Sequence, residues 1–169
     1  MHYTQTISSP LGNILLSADE VGLTGLWFDG GRYYAETLPE EHVERETPIL
    51  MDTKRWLDVY FTGREPDFTP PLHPTGSPFR QMVWQLLLEI PYGQTTTYGA
   101  LAKRLGGVRM SAQAVGHNPI SIIVPCHRVV GANGSLTGYA GGLDRKIRLL
   151  EIEQTDMHGL FRPKKGTAI

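Results

Sequence analysis

The sequence predicts an α/β N-terminal unit, a small antiparallel sheet plus a helix, over residues 1–75. A mostly α unit built on a helix-turn-helix follows over residues 76–155, with a loose tail over 156–169. Three observations predict this order. β-formers cluster around turn residues in positions 1–28; a Pro-, Gly- and Thr-rich stretch, "REPDFTPPLHPTGSP", interrupts the chain; apolar residues recur at helical spacing behind it.

Residues 2–8, 13–18 and 21–28 read as a meander closed by "SPLGN" and "DEVG". Over 47–62, Ile49, Trp56, Tyr60 and Phe61 fall at helical spacing before the stop at Gly63. Behind the linker, Phe79, Val83, Leu86, Leu87 and Ile90 share one face, with Ser77-Pro78 as cap and first turn. "TYGALAKRLGG" predicts a short helix with Leu101 and Leu105 inward, linked by "VRM" to "SAQAVGHN", where Ser111 is the expected N-cap. Two short helices joined this tightly read as a helix-turn-helix. Residues 121–130 predict a buried strand, "GANGS" a hairpin turn through Asn133-Gly134, and "LDRKIRLLEIE" a last helix.

No run of about eighteen apolar residues is present, so no membrane-spanning helix is expected. "MHYTQTISSPLGN" lacks the charged-then-apolar pattern of a signal peptide. One cysteine in 169 residues fits a reducing cytoplasm and excludes a zinc site built on several thiolates. The net charge of -1 hides an asymmetry: residues 1–75 carry five Lys/Arg against twelve Asp/Glu, and residues 76–155 carry eight against four. A basic segment behind an acidic one suits a chain of which one part meets a polyanion, although unequal solvated surfaces explain it equally well.

Cys126 sits in "IIVPCHRVVG", where Pro125 interrupts the run and His127 and Arg128 are costly to bury. A free cysteine is commonly a small core hydrophobe; here its neighbours could hold a thiolate. In a regular strand residues 126 and 127 point to opposite faces, so a Cys–His contact needs a turn or a bridging water. On the last helix Ile147, Leu149 and Leu150 mark the inward side, and Lys146 and Glu153 fall on it too. A buried carboxylate needs a partner. An internal Glu153–Lys146 pair is one solution; Glu153 accepting a proton from an imidazole is the other. Cys, His and a buried carboxylate together make an activated nucleophile.

"PCHRVV", with Asn118-Pro119 upstream, "TGYAGG" downstream and "RKIRLLEIE" after it, resembles the O6-alkylguanine-DNA alkyltransferases over residues 79–154. The resemblance implies an RNase H-like α/β domain followed by a helix-turn-helix domain of winged-helix type. It implies repair of double-stranded DNA by moving an alkyl group from guanine O6 to the protein's own cysteine, with no metal or organic cofactor, by a monomer. Carried over, Cys126 is the alkyl acceptor, His127 deprotonates it through a water, Glu153 holds the imidazole tautomer, and Tyr98 serves the leaving base. Asn118, Val129, Tyr139, Ala140 and Lys146 form the substrate-binding set, Asn118 by bracing the turn into the site.

The target atom lies inside a stacked duplex, so the base has to be flipped out. The resemblance places "SAQAVGHN" in the minor groove, with Ser111, Ala112, Ala114 and Gly116 approaching the DNA and Gln113 filling the vacated stack. Arg104 and Arg109 are candidate phosphate contacts. Such proteins usually carry about four more residues between the Gln113 position and Asn118, roughly one helical turn. Two readings follow: a recognition helix truncated by that turn, or a chain lacking a mobile piece. In the first, Gln113 and Asn118 cannot both hold their family positions. A regulator without chemistry would explain the basic segment but not the Cys-His-Glu set, and a Cys-His hydrolase would explain the set but not the DNA-binding segment.

Overall fold

The computed structural model describes residues 1–106 and 111–163. Its N-terminal sheet is ordered β3-β2-β1-β4, from β1 (His2–Ile7), β2 (Ile14–Ala18), β3 (Leu23–Phe28) and β4 (His42–Glu44). The first three strands form the expected antiparallel meander, with Ile7 opposite Ile14 and Leu16 opposite Leu26. β4 pairs parallel to β1 and has no sequence signature, since His42, Val43 and Glu44 are all exposed.

β3 is buried along its whole length because its free edge is occupied. Leu23 exchanges backbone hydrogen bonds with Pro71 and His73, and Leu26 with Pro119 and Ser121. An unpaired edge would expose a row of donors and acceptors; here it becomes the seat for the turn that carries the cysteine. Buried residues of both halves, among them Ile7, Leu26, Val83, Cys126 and Leu149, share one core, and Val130, Leu136 and Leu150 form a second, smaller cluster.

Three helices begin as side-chain caps dictate. Thr47 accepts from Leu50 N before α1 (Pro48–Tyr60), and Ser77 from Arg80 N before α2 (Pro78–Leu87). Thr97 accepts from Ala100 N before α3 (Tyr98–Arg104). Loss of one such cap costs about 1 kcal/mol. α1 turns Leu50, Thr53, Trp56, Leu57 and Tyr60 inward. α4 is described over Ser111–Gly116. The "VRM" link and Arg109 lie outside the described residues.

Three expectations need correction. Residues 121–130 are not a strand: they are turns, then one 3-10 turn at Cys126–Arg128, and only Val129–Val130 extends, as β6 beside β5 (Thr96–Thr97). The Asn118 side chain takes the carbonyls of Ile120 and Val124, and Pro125 has no N–H, so a ladder cannot continue. "GANGS" turns, with Gly131 N donating to Ser135 O, but no hairpin forms, because Ser135 bridges to Phe161 instead. The tail through residue 163 is therefore not loose. Leu136 N and Phe161 N donate to Phe161 O and Gly134 O, and Met157 and Leu160 pack on Val130, Leu136 and Leu150. The last helix, α5 (Leu143–Ile152), stops one residue before Glu153, which caps it.

Candidate active site

The cysteine turn is built from two three-residue reversals. Ile123 N donates to Ser121 O at 2.8 Å around Ile122, whose φ is 69°. Cys126 N donates to Val124 O at 2.8 Å around Pro125, at φ -84° and ψ 63°. The second is the relaxed inverse γ-turn; the first forces a β-branched residue to positive φ, a strain of about 1–3 kcal/mol. Asn118 holds the loop against that strain. Its Oδ1 accepts from Ile120 N at 3.0 Å, and its Nδ2 donates to Val124 O at 2.7 Å, Ile120 O at 3.2 Å and Cys126 Sγ at 3.3 Å.

The 3-10 turn at Cys126–Arg128 puts Cys126, His127 and Arg128 in one buried layer. His127 Nε2 donates to Glu153 Oε2 at 2.6 Å, with both side chains fully enclosed. Glu153 is filled on every side: Tyr60 OH reaches Oε2 at 2.5 Å, while Arg128 Nε at 2.8 Å and Gly93 N at 3.2 Å reach Oε1. A carboxylate at a helix C-terminus opposes the dipole, and these donors compensate. Gly93 sits at φ +79°, a conformation that favours glycine, and there its N–H points to the carboxylate. Arg128 also donates to Ile90 O at 2.7 Å and stacks over Tyr92.

The protonation states follow from burial and partners. Burial pushes the Cys126 thiol up, and the Asn118 donor and Lys146 charge offset it only in part. At rest the sulfur is a thiol that needs a base. Burial lowers His127 below the ordinary imidazole value despite Glu153 pulling the other way, so the ring is neutral. Its other nitrogen, Nδ1, is buried without a hydrogen-bond partner among the described residues. Burial acts to raise Glu153, but the bonds from His127 and Arg128 outweigh it and hold the carboxyl at about 2. Tyr98 is raised by burial and by the neighbouring Cys126, which keeps its phenol a donor. That phenol now donates to Gly138 O at 2.9 Å.

Residues 1–74 match the family model described as 6-O-methylguanine DNA methyltransferase, ribonuclease-like domain, and residues 78–155 match 6-O-methylguanine DNA methyltransferase, DNA binding domain. The chain belongs to the 6-O-methylguanine DNA methyltransferase family. It is 48% identical over 155 residues to the methylated-DNA–protein-cysteine methyltransferase of Methanosarcina acetivorans, covering 89% of this chain and 97% of that protein. The enzyme of the same name from Mycobacterium bovis is 41% identical over 92% of this chain and 93% of its own. Among solved structures, Mycobacterium tuberculosis OGT in complex with DNA superposes with a TM-score of 0.79 at 39% identity, covering 90% of this chain and 92% of that one. The family architecture is the expected fold class: a ribonuclease-like domain with a small sheet, then a helical DNA-binding domain.

Of the residues the family resemblance singles out, Cys126, His127, Glu153, Asn118 and Tyr98 converge on the turn just described. Tyr139 is buried edge-on to the His127 ring at 6.3 Å. Its neighbour Gly141 is required, since a Cβ there would lie 2.5 Å from the Tyr139 ring. Lys146 does not pair with Glu153. Fully buried and lowered by that burial to about 8, it donates to Val129 O at 2.6 Å and Thr137 O at 2.7 Å. The Ala140 carbonyl accepts from Arg32 N.

The expected DNA contacts divide. Ala112 and Gln113 are exposed on α4, whereas Ala114 and Gly116 are buried. The reason is local: α4 packs its inner face on α2, and Trp84 Nε1 donates to Ala114 O at 2.9 Å. Arg104 is exposed and reaches Glu89 with both terminal nitrogens at 3.2 Å. Sequence reasoning missed Gly93 and Tyr60 as parts of the site, and offered Arg128 to the thiolate, whereas it binds Glu153. Only Arg128 had a signal, its cost of burial next to His127.

Proposed function

We propose that this chain is a methylated-DNA–protein-cysteine methyltransferase that reverses DNA damage directly, moving a methyl or larger alkyl group from guanine O6, and from thymine O4, onto Cys126. The observation that carries the reading is the buried His127–Glu153 pair in the turn that also holds the single cysteine, Cys126, in a chain of this family. The DNA seen with the Mycobacterium tuberculosis relative supports DNA as the partner. Exposed Ala112 and Gln113 and the cation Arg104 face the duplex, and the damaged base swings out of the stack toward Cys126.

His127 Nδ1 takes the thiol proton through a water, its tautomer held by the bond from Nε2 to Glu153. The sulfur attacks the alkyl carbon as the carbon–oxygen bond breaks, and the electron pair leaves on the base. Tyr98 gives up its bond to Gly138 O to serve the anionic leaving base, with Tyr139 as a pocket wall. Lys146 holds the Val129 carbonyl in place to read the base edge, and Ala140 does so from the opposite loop. All of these groups come from one chain, which supports a monomer, and a single free thiol suits a reducing cytoplasm. The test is a mass spectrum of the chain after incubation with DNA containing O6-methylguanine. A permanent gain of one methyl on the Cys126 peptide is expected; an unmodified peptide overturns the reading.

A further inference from the structure

We propose that Tyr60, from helix α1 of the N-terminal half, is a positioning residue for alkyl transfer: its hydroxyl shares Glu153 Oε2 with His127 and so sets how strongly Glu153 pulls on the imidazole. This rests on the function proposed above. Tyr60 OH lies 2.5 Å from Oε2 and His127 Nε2 lies 2.6 Å from the same oxygen. Tyr60 has no exposed surface, so its hydroxyl cannot turn to solvent. Trp56 stacks on its ring at 5.3 Å, and Phe61 and Tyr92 meet it edge-on. The phenol meets this carboxylate at close range, with the Leu149 carbonyl farther off at 3.5 Å, from a helix that contributes nothing else to the relay.

Two donors on one oxygen compete for its charge. Each neutral bond that Oε2 accepts reduces the electron density left for the imidazole, so Tyr60 weakens the Glu153–His127 coupling and favours the neutral ring. A base must be neutral to take the thiol proton, and a catalytic group works best with its titration near the operating pH. The other groups around His127 act in both directions. Glu153 favours the charged ring; Arg128 and Lys146 oppose it; Tyr139 meets the ring edge-on; Cys126 is its chain neighbour. Tyr60 moderates the one attractive partner. Tyr60 itself stays protonated, since burial and the Glu153 charge both hold its phenol well above the usual range.

The experiment uses the full chain in three forms: wild type, Tyr60→Phe, and a form with 3-fluorotyrosine at position 60, whose hydroxyl is a stronger donor in the same place. The His127 ring is titrated by NMR, and single-turnover methyl transfer is followed across pH. Removing the hydroxyl should raise the imidazole titration and shift the acid limb of the rate profile up by about one pH unit. The fluorinated form should shift both downward, and it carries the test alone if the Phe variant does not fold. Titrations and acid limbs that coincide with wild type, with only the melting temperature changed, would reduce Tyr60 to a packing residue and overturn the proposal. The NMR titration needs no substrate. A wild-type chain that transfers no methyl would therefore sink the functional reading, whereas an unmoved imidazole sinks the role of Tyr60.

Discussion

Glu153 Oε2 accepts from His127 Nε2 at 2.6 Å, across 26 residues of sequence and inside a layer that also encloses the Arg128 charge. Replacing the carboxylate with an amide keeps the shape and removes the counter-charge. Glu153→Gln should lose about 3–5 kcal/mol of stability at neutral pH, because Arg128 is left as a buried charge without its partner. The sign with pH follows from the depressed carboxyl. Its contribution is complete above the unfolded value, about 4.3, and is lost as pH falls toward the folded value. The wild-type advantage in denaturation midpoint should thus shrink as pH falls from about 4.3 to about 2. A constant gap at all pH values would show that Glu153 contributes by shape alone. Methyl transfer by the variant should be slower throughout.

Cys126→Ser tests the acceptor with the smallest change in shape. Serine keeps an acceptor for the Asn118 N–H now 3.3 Å from the sulfur, so the turn should stand and DNA should still bind. An alcohol is far harder to ionise than a thiol, and His127 cannot bridge the difference. No methyl should appear on the variant by mass spectrometry. Methylation at any other residue would show that the acceptor lies elsewhere.

Lys146 should matter through two carbonyls. Lys146→Met leaves Val129 O and Thr137 O without their bonds of 2.6 and 2.7 Å, each a loss of about 1–3 kcal/mol where no water enters. It also removes the charge that lowers the Cys126 thiol. The expected result is a lower melting temperature together with a higher pH midpoint for thiol modification by iodoacetamide. An unmoved midpoint would separate Lys146 from the thiol.

The chemistry was legible where residue type contradicted its surroundings. A carboxylate on the inward side of the last helix and a histidine in an apolar run both demanded partners, and they found each other. Tyr60 was illegible because a tyrosine on an apolar helical face satisfies the pattern without its hydroxyl being noticed. The strand expected over 121–130 failed because β-branched propensity reports nothing about Asn118, whose side chain takes two carbonyls that a ladder would use. β4 escaped because it is bound by backbone pairing alone. Ala114 and Gly116 look like groove-facing small residues in sequence; in the fold both are buried, and the Ala114 carbonyl is held by Trp84 of α2.

Binding to DNA should be strongly salt-dependent and nearly blind to sequence. Arg104 is engaged by Glu89 in an exposed pair, which holds it only weakly. Glu89→Gln should free that guanidinium, tighten binding at low salt and steepen the salt slope by about one phosphate contact. Gln113→Arg, on the exposed face of α4, should do the same through the groove. Slopes unchanged in both variants would remove this face from the interface.

The last expectation concerns what the reaction leaves behind. A thioether on Cys126 has no leaving group, so transfer should stop at one alkyl group per chain. The new methyl enters a nearly closed space: Cys126 is 4% exposed, with the Asn118 side chain against its sulfur. It also crowds the Asn118 N–H that donates to the sulfur at 3.3 Å, which must then shift. Overpacking of this kind costs about 1–3 kcal/mol. For a chain of this size each kcal/mol lowers the melting temperature by about 2–4 °C. Differential scanning calorimetry on the fully methylated protein should therefore show a midpoint several degrees below that of the free form. Superimposable melting curves would refute the packing argument, and continued methyl transfer from excess DNA would refute the single-use chemistry on which it depends.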